Sequence, residues 1–178
     1  GVMREVVRFK NPNKVVVFDD AIRGRIETDT TDLGDFVIAK SITEPLFHLA
    51  VVVDDYEEGV THILRGEDHI PNTPRQILIG EAFGFPSPTY AHLPLVLSSD
   101  RTKLSKRKGA LPVTTYRDMG YLPESIINFM TFIGFNPGGE KEIYTLEELI
   151  DVFDITKIHK GGAIFNDEKL AWMNKEHM

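Results

Sequence analysis

Positive charge is concentrated in one short segment of this sequence, residues 101–108. Five of its eight residues are basic, in a chain whose net charge is −7. Two ammonium groups and one guanidinium within residues 103–107 can surround a polyphosphate, because lysine acts as a point charge and arginine can form two parallel hydrogen bonds. Composition alone favours a solvated surface turn instead, since most charged loops are simply surface. The segment is a candidate anion-binding loop.

Residues 61–66 form a mainly apolar run that predicts a strand. A second polar cluster, residues 65–69, begins at the C-terminal end of this strand. Ligands of open α/β sheets bind beyond the carboxyl ends of the strands. An arginine at that place can bind a carboxylate, and Gly66 lets a ligand approach the backbone. The last three residues of the cluster are of metal-ligand types, but adjacent side chains point in different directions. A polar loop with internal ion pairs is the simpler interpretation of these three.

Other polar groups carry weaker signals. The carboxylates in residues 54–58 are interpreted as a solvated helix end, because acid–base chemistry needs two carboxylates that face each other. His48 and His92 lie among apolar residues and are interpreted as hydrogen-bonded core histidines, although His92 could also line a pocket. The sequence contains no P-loop, no Gly-x-Gly-x-x-Gly and no His-Glu-x-x-His pattern.

The composition is that of a globular, water-soluble domain of 178 residues, with 42% hydrophobic and 26% charged residues. Cysteine is absent, which excludes disulfides, thiol catalysis and cysteine-ligated zinc. No apolar run approaches the roughly 20 residues that span a bilayer, and no signal peptide is recognisable. We expect a cytoplasmic protein with no membrane partner. The negative net charge argues against a broad nucleic-acid-binding face.

The predicted fold class is α/β with an additional helical part. The predicted helices and strands fall into three regions of the chain. Residues 1–43 contain short β-branched runs, with residues 19 and 20 interpreted as a turn, and predict a β-rich piece. Residues 44–99 predict a strand–helix–strand unit, with a helix over residues 73–83 and a strand over residues 92–97; residues 47–53 fit either a helix or a strand. Residues 100–178 begin with the basic loop and then predict helices.

Seven segments together resemble the glutamyl-tRNA synthetases of bacterial type, which are class I aminoacyl-tRNA synthetases. These segments are residues 47–55, 59–70, 72–76, 90–94, 103–107, 116–124 and 165–174. Residues 103–107 are similar to the class I "KMSKS" signature. The resemblance covers nearly the whole chain. It implies the second half of a Rossmann-like nucleotide-binding fold (residues 44–99), preceded by the end of an acceptor-binding insertion and followed by a helical stem-contact domain.

The resemblance also implies a reaction and a set of residues. Glutamate attacks the α-phosphate of ATP, and the glutamyl group then passes to the 3′ end of tRNA. The implied catalytic residues of the loop are Lys103, Lys106 and Arg107. The implied ATP-binding residues are Lys106, Ser105, His69, Leu95 and Val96. The implied substrate-binding residues are Arg65, Phe47 and Val51. The related glutaminyl enzymes typically lack the arginine, so Arg65 favours glutamate as the substrate.

Two departures from the family pattern have consequences. The family commonly has tyrosine where this chain has Phe47, so a hydroxyl near the amino acid is missing. The chain also contains no His-Ile-Gly-His-like motif. We therefore expect a piece of a larger catalytic core that is inactive on its own, because half of a doubly wound sheet exposes an edge strand and an uncovered face.

Two other functions stay open on the residues alone. A glutamyl-queuosine tRNA synthetase would share the motifs, but such enzymes tend to end soon after the basic loop, and residues 123–178 argue against it. A non-catalytic tRNA-binding module is the alternative from another class. The resemblance implies ATP as a substrate with Mg²⁺ on its phosphates, no zinc site in this chain, glutamate and tRNA as partners, and a monomeric enzyme.

Overall fold

The computed structural model describes residues 6–105 and 111–178. These residues form two compact units, Gly1–His92 and Leu93–Met178, and each is described by itself. Lys106 and Arg107, the two loop residues with the strongest implied roles, lie outside the described residues. The division of the chain into three functional segments stays a prediction.

The first unit consists of small sheets and two helices. In chain order its elements are β1 (Val7–Phe9), β2 (Val15–Asp20), β3 (Gly24–Asp29), β4 (Phe36–Ser41), β5 (Glu44–Pro45), α1 (Phe47–Glu57), β6 (His62–Gly66), α2 (Thr73–Phe83) and β7 (Thr89–Leu93). One sheet has the strand order β1-β4-β5, and the other has the order β3-β2-β7-β6. β2 and β3 form an antiparallel hairpin, and β2 runs parallel to β7.

β2 alternates strictly between exposed and buried residues. Val16 and Phe18 pack into the core, and the next inward position is Asp20. The prediction of a turn at residues 19 and 20 was wrong, because both residues are the last two of β2, paired with Arg25 and Gly24. A carboxylate at an inward position of a strand must find hydrogen-bond donors, since burying it without them is costly.

The predicted strand–helix–strand unit is present in the first unit. β6 ends at Gly66, α2 covers the predicted residues, and β6 and β7 are neighbours in the sheet. α2 has a proline in its first turn and ends at Gly84, whose φ of 71° is left-handed and therefore suits glycine. Residues 47–53, which fit a helix or a strand, belong to α1.

The predicted strand over residues 92–97 was wrong in its extent. β7 ends at Leu93, and a separate strand begins at Val96. Pro94 lies between them and has no backbone N–H to donate to a ladder, which explains the interruption.

The second unit is mainly helical. Its elements are β8 (Val96–Leu97), α3 (Val113–Asp118), α4 (Pro123–Gly134), α5 (Leu146–Val152), β9 (Ala163–Ile164) and α6 (Asp167–His177). A capping box begins α5, with Thr145 and Glu148 bonded reciprocally. Asn166 caps α6 through the backbone N–H of Lys169.

The core of the second unit lies between α4 and α6, where Phe129, Ile133, Leu170 and Met173 are buried together. Replacing Leu170, which is 2% exposed, with alanine is expected to lower the free energy of unfolding by about 2–5 kcal/mol, because the substitution leaves a cavity. Urea unfolding followed by the fluorescence of the single tryptophan, Trp172, measures this effect. Ile150→Ala is the control; Ile150 is 66% exposed, and equal losses in the two variants would contradict the assigned core.

Candidate amino-acid and nucleotide site

Arg65 lies at the end of β6 with its guanidinium partly buried. Its Nη2 donates to Thr73 Oγ1 and to Gln76 Oε1, both at 2.8 Å. Its Nε donates to His92 Nε2 at 3.2 Å, and the guanidinium lies 5.7 Å from the centre of the Tyr90 ring. The guanidinium plane is therefore held on several sides by neutral groups.

The guanidinium has no carboxylate partner among residues 6–105 and 111–178, because no Asp or Glu oxygen there lies within 4.0 Å of it. Burial lowers the pKa of Arg65, and Asp55 opposes this effect from a greater distance. Arginine nevertheless stays protonated in proteins. A partly buried cation that is oriented by neutral acceptors is suited to bind a carboxylate supplied by a ligand.

His92 supports Arg65 from the neighbouring strand β7. Its side chain is fully buried, and its Nδ1 lies 2.6 Å from Asp20 Oδ2. Burial lowers the pKa of His92, and the opposing effect of Asp20 does not reverse the direction. The interpretation of His92 as a hydrogen-bonded core histidine is therefore confirmed.

Asp20 connects the β2–β3 hairpin to the hydrogen bonds of His92 and Arg65. It accepts hydrogen bonds from the backbone N–H groups of Ile22, Arg23 and His92. Burial alone would raise the pKa of Asp20, but these bonds and the one from the His92 imidazole outweigh burial and lower it. Arg23 then pairs with Glu67 at 2.8 Å, so the hairpin turn also holds the residue that follows Gly66.

Two further predicted residues lie close to this network in the first unit. The Phe47 ring, 52% exposed at the start of α1, is 6.0 Å from the His69 ring. The carbonyl of His69 accepts a bond from Thr73 Oγ1, the same hydroxyl that Arg65 contacts. Val51 is one helical turn beyond Phe47 and is partly buried. The structure thus brings Phe47, His69 and Arg65 into one neighbourhood.

The remaining described residues of the predicted site belong to the second unit. Val96 begins β8, and its carbonyl accepts from the backbone N–H of Leu104 at 2.9 Å. Lys103 forms a bridge with Leu97, so the start of the basic loop returns along β8. Ser105 is the last described residue before the gap and is partly buried. Val96, which is implied for adenine, is thus connected to Lys103, at the start of the basic loop, by one short hairpin.

Leu95 is packed from the other side by Gly162. A Cβ at Gly162 would lie 2.8 Å from the Leu95 carbonyl oxygen, which leaves no room for a side chain there. The glycine explains how β8 and β9 can approach this closely.

Sequence reasoning missed Asp20, Thr73 and Gln76 as supports of Arg65. For Asp20 a signal existed, because it continues the inward alternation of Val16 and Phe18.

Glu67, one of the three residues of metal-ligand type, forms an ion pair with Arg23. No group of three or more His, Asp or Glu side chains suited to a metal ion is found in the described part of the chain. None of the described helices is long and apolar enough to cross a membrane.

Comparison with known proteins identifies the family of the chain. Residues 3–172 match the model of the family described as tRNA synthetases class I (E and Q), catalytic domain. The chain belongs to this synthetase family. The resemblance inferred from the motifs is confirmed.

Curated relatives that are similar to this chain include glutamate–tRNA ligases. The chain is 54% identical over 170 residues to the glutamate–tRNA ligase of Aquifex aeolicus, covering 94% of this chain and 36% of that protein. It is 49% identical over 172 residues to the ligase of a Sulfurihydrogenibium species, covering 97% of this chain and 36% of that protein. The chain therefore spans about a third of the length of these relatives.

Solved structures of the family share the fold. The glutamate–tRNA synthetase of Elizabethkingia anophelis superposes with a TM-score of 0.88 at 38% identity, covering 97% of this chain and 39% of that one. A glutamate–tRNA ligase of Elizabethkingia meningosepticum, solved in complex with its amino acid, also gives 0.88 at 37% identity, covering 97% and 38% of the two chains. The α/β class is confirmed.

Proposed function

We propose that this chain is the part of a glutamate–tRNA ligase that binds a carboxylate of glutamate and carries the ATP loop. The complete enzyme would form glutamyl-adenylate from glutamate and ATP and then transfer the glutamyl group to the 3′ end of tRNA. One observation carries the proposal: Arg65 is partly buried, oriented by Thr73, Gln76 and His92, and has no carboxylate within 4.0 Å among the described residues.

Glutamate fits this arrangement chemically. A guanidinium N–H forms a charge-assisted hydrogen bond to a carboxylate, which is stronger than a bond between neutral groups. Arg65 keeps the N–H groups of Nη1 for that purpose, since its Nη2 and Nε are the atoms that bind Thr73, Gln76 and His92. Phe47 and Val51 would line the amino-acid site from α1. The similarity to ligases named for glutamate supports the same choice.

The ATP part of the proposal rests on the family resemblance. Lys103, Ser105, Lys106 and Arg107 would hold the phosphates and stabilise the charge that develops on pyrophosphate as it leaves. His69, Leu95 and Val96 would lie near adenine. Mg²⁺ enters the proposal as the counter-ion of the ATP phosphates, where it would neutralise part of their charge.

The finer domain description belongs to the same proposal. Residues 1–43 would be the end of the acceptor-binding insertion, residues 44–99 the second half of the Rossmann-like fold, and residues 100–178 the loop with the helical stem-contact domain. β2 and β3 lie in the same sheet as β6 and β7, so the insertion would contribute directly to the support of the amino-acid site. A monomeric enzyme in the cytoplasm is proposed for the complete protein.

Aminoacylation tests the proposal. The full-length protein is supplied with ATP, Mg²⁺ and tRNA, and with glutamate, glutamine or aspartate in separate reactions. Glutamate alone is expected to be joined to tRNA. Transfer of glutamine in preference to glutamate, or binding of tRNA without any transfer, would contradict the proposal.

The 178-residue chain by itself is expected to give no ATP–pyrophosphate exchange with glutamate and the matching tRNA. The physical reason is that it carries no His-Ile-Gly-His-like motif to face the nucleotide. The full-length protein at the same concentration is the control, and turnover by the isolated chain at a comparable rate would show the expectation to be wrong.

A further inference from the structure

The His92 imidazole lies between a fixed carboxylate and a fixed cation. Asp20 Oδ2 is 2.6 Å from Nδ1, and Arg65 Nε is 3.2 Å from Nε2. We propose that His92 is a positioning residue for Arg65, kept by Asp20 as the neutral tautomer with its proton on Nδ1, and that glutamate binding weakens when His92 is protonated. The inference rests on the proposed function, because it makes glutamate the ligand of Arg65.

The tautomer follows from the donors. Arginine always carries a hydrogen on Nε and accepts no hydrogen bond. The bond from Arg65 Nε therefore requires a bare lone pair on His92 Nε2. The proton of a neutral imidazole then resides on Nδ1, where it is donated to the Asp20 carboxylate. Asp20, His92 and Arg65 form one directed chain of hydrogen bonds.

Protonation of His92 would break the hydrogen bond between Arg65 Nε and His92 Nε2. With a hydrogen on it, Nε2 could no longer accept from Arg65 Nε and could only donate to Thr73 Oγ1, which is also 3.2 Å away, while two cations would face each other at 3.2 Å. The groups that face the imidazole are Asp20 from β2, Arg65 from β6, His69 from the turn after β6 and the Thr73 hydroxyl from α2. Arg23 donates to the His92 carbonyl, and Tyr90 stacks beside the ring.

The expected pH dependence has a definite sign. Burial, Arg65 and His69 lower the pKa of His92, and the attraction of Asp20 only partly offsets them. Above the ordinary histidine value of 6.5, His92 is neutral and Arg65 is correctly held. As the pH falls through the lowered pKa, the KM for glutamate should rise, whereas the KM for ATP should not follow it.

Asp20→Asn is the sharpest variant. Its Oδ1 can still accept from the backbone N–H groups of Ile22 and Arg23, which preserves the hairpin turn. The backbone N–H of His92, which lies 3.2 Å from Oδ1 and 3.1 Å from Oδ2 in the wild type, would keep only Oδ1 as its acceptor. Its amide nitrogen would replace Oδ2 and donate to His92 Nδ1, which moves the imidazole proton to Nε2, against Arg65. The expected result is a KM for glutamate about 10- to 100-fold higher at neutral pH, as for loss of one hydrogen bond to a charged group, with the KM for ATP within about twofold of wild type.

His92→Gln and His92→Ala form a matched pair. The glutamine carbonyl can accept from Arg65 Nε at every pH, whereas alanine offers no acceptor. We expect the glutamine variant to recover part of the glutamate affinity that the alanine variant loses, and to show no rise of the KM at acid pH. Equal KM values for these two variants, or a fall in kcat with the glutamate KM unchanged in Asp20→Asn, would mean a merely structural role and would overturn the inference.

NMR spectroscopy can determine the tautomer of His92 without an activity measurement. Long-range ¹H–¹⁵N correlation spectra of the full-length protein with ¹⁵N-labelled histidine, assigned with His92→Gln, should show His92 protonated on Nδ1 and bare on Nε2 at neutral pH. A proton on Nε2, or a charged imidazole, would overturn the inference. If the wild-type protein activates no glutamate, the proposed function fails while this spectrum still decides the state of His92.

Discussion

Replacement of Arg65 with alanine is expected to raise the KM for glutamate by about 10²- to 10³-fold and to leave the KM for ATP nearly unchanged. Truncating one partner of a buried, hydrogen-bonded charge pair costs on the order of 2–5 kcal/mol. Here the charge that loses its partner is the carboxylate of the bound amino acid. ATP–pyrophosphate exchange by the full-length protein, with tRNA present and glutamate varied, measures the effect.

Two control variants separate geometry from charge in this experiment. Arg65→Lys keeps the positive charge but loses the planar fork, so it should recover only part of the affinity. Arg25→Ala removes the same charge from an exposed residue that pairs with Glu27 on β3, and its KM for glutamate should match wild type. An equal rise of the KM in Arg65→Ala and Arg25→Ala would mean that Arg65 acts only through net charge.

Replacement of Lys106 with alanine is expected to slow adenylate formation by about 10²- to 10³-fold, as for removal of one donor to a developing oxyanion, with tRNA binding reduced only a few-fold. The reason is that the lysine charge would stabilise the phosphates mainly while pyrophosphate departs. Single-turnover formation of glutamyl-adenylate and filter binding of tRNA measure the two effects separately.

Lys108→Ala is the matched control, since it removes the same charge two residues further along the basic segment. It should leave adenylate formation close to the wild-type rate, because the segment similar to the family signature is residues 103–107 and does not include Lys108. Equal losses of adenylate formation and tRNA binding in Lys106→Ala would mean that the loop only attracts RNA.

Much of the fold was predictable because its signals are local. α5 begins where Thr145 and Glu148 form a capping box, and α6 begins after Asn166. α2 ends where Gly84 can adopt a left-handed conformation. Each of these features depends on residues within one or two turns of each other, so the sequence pattern alone was sufficient to place them.

The residues that support Arg65 were not predictable from local sequence. Asp20 and His92 are 72 positions apart and meet only because β2 runs parallel to β7. No local pattern encodes that pairing. The break in the strand after Leu93 was predictable in principle, because Pro94 lacks a donor, but the apolar run around it hid the signal.

The candidate site also combines a residue that was predictable from local sequence with contacts that were not. Arg65 was identified from its type and its place at the end of a predicted strand. The neutral environment that would suit it to bind a carboxylate depends on Thr73 and Gln76, which α2 places beside it, and on His92 from the neighbouring strand. The roles of Lys106 and Arg107 rest on the family resemblance, since both residues lie outside the described part of the chain.

The most direct test of the account is a crystal structure of the full-length protein with glutamate bound. A carboxylate oxygen of glutamate should lie within about 3.2 Å of the Arg65 guanidinium, the distance of a hydrogen bond. Arg65 should keep its bonds to Thr73 and His92 in that complex. Glutamate bound with both carboxylates away from Arg65 would contradict the account.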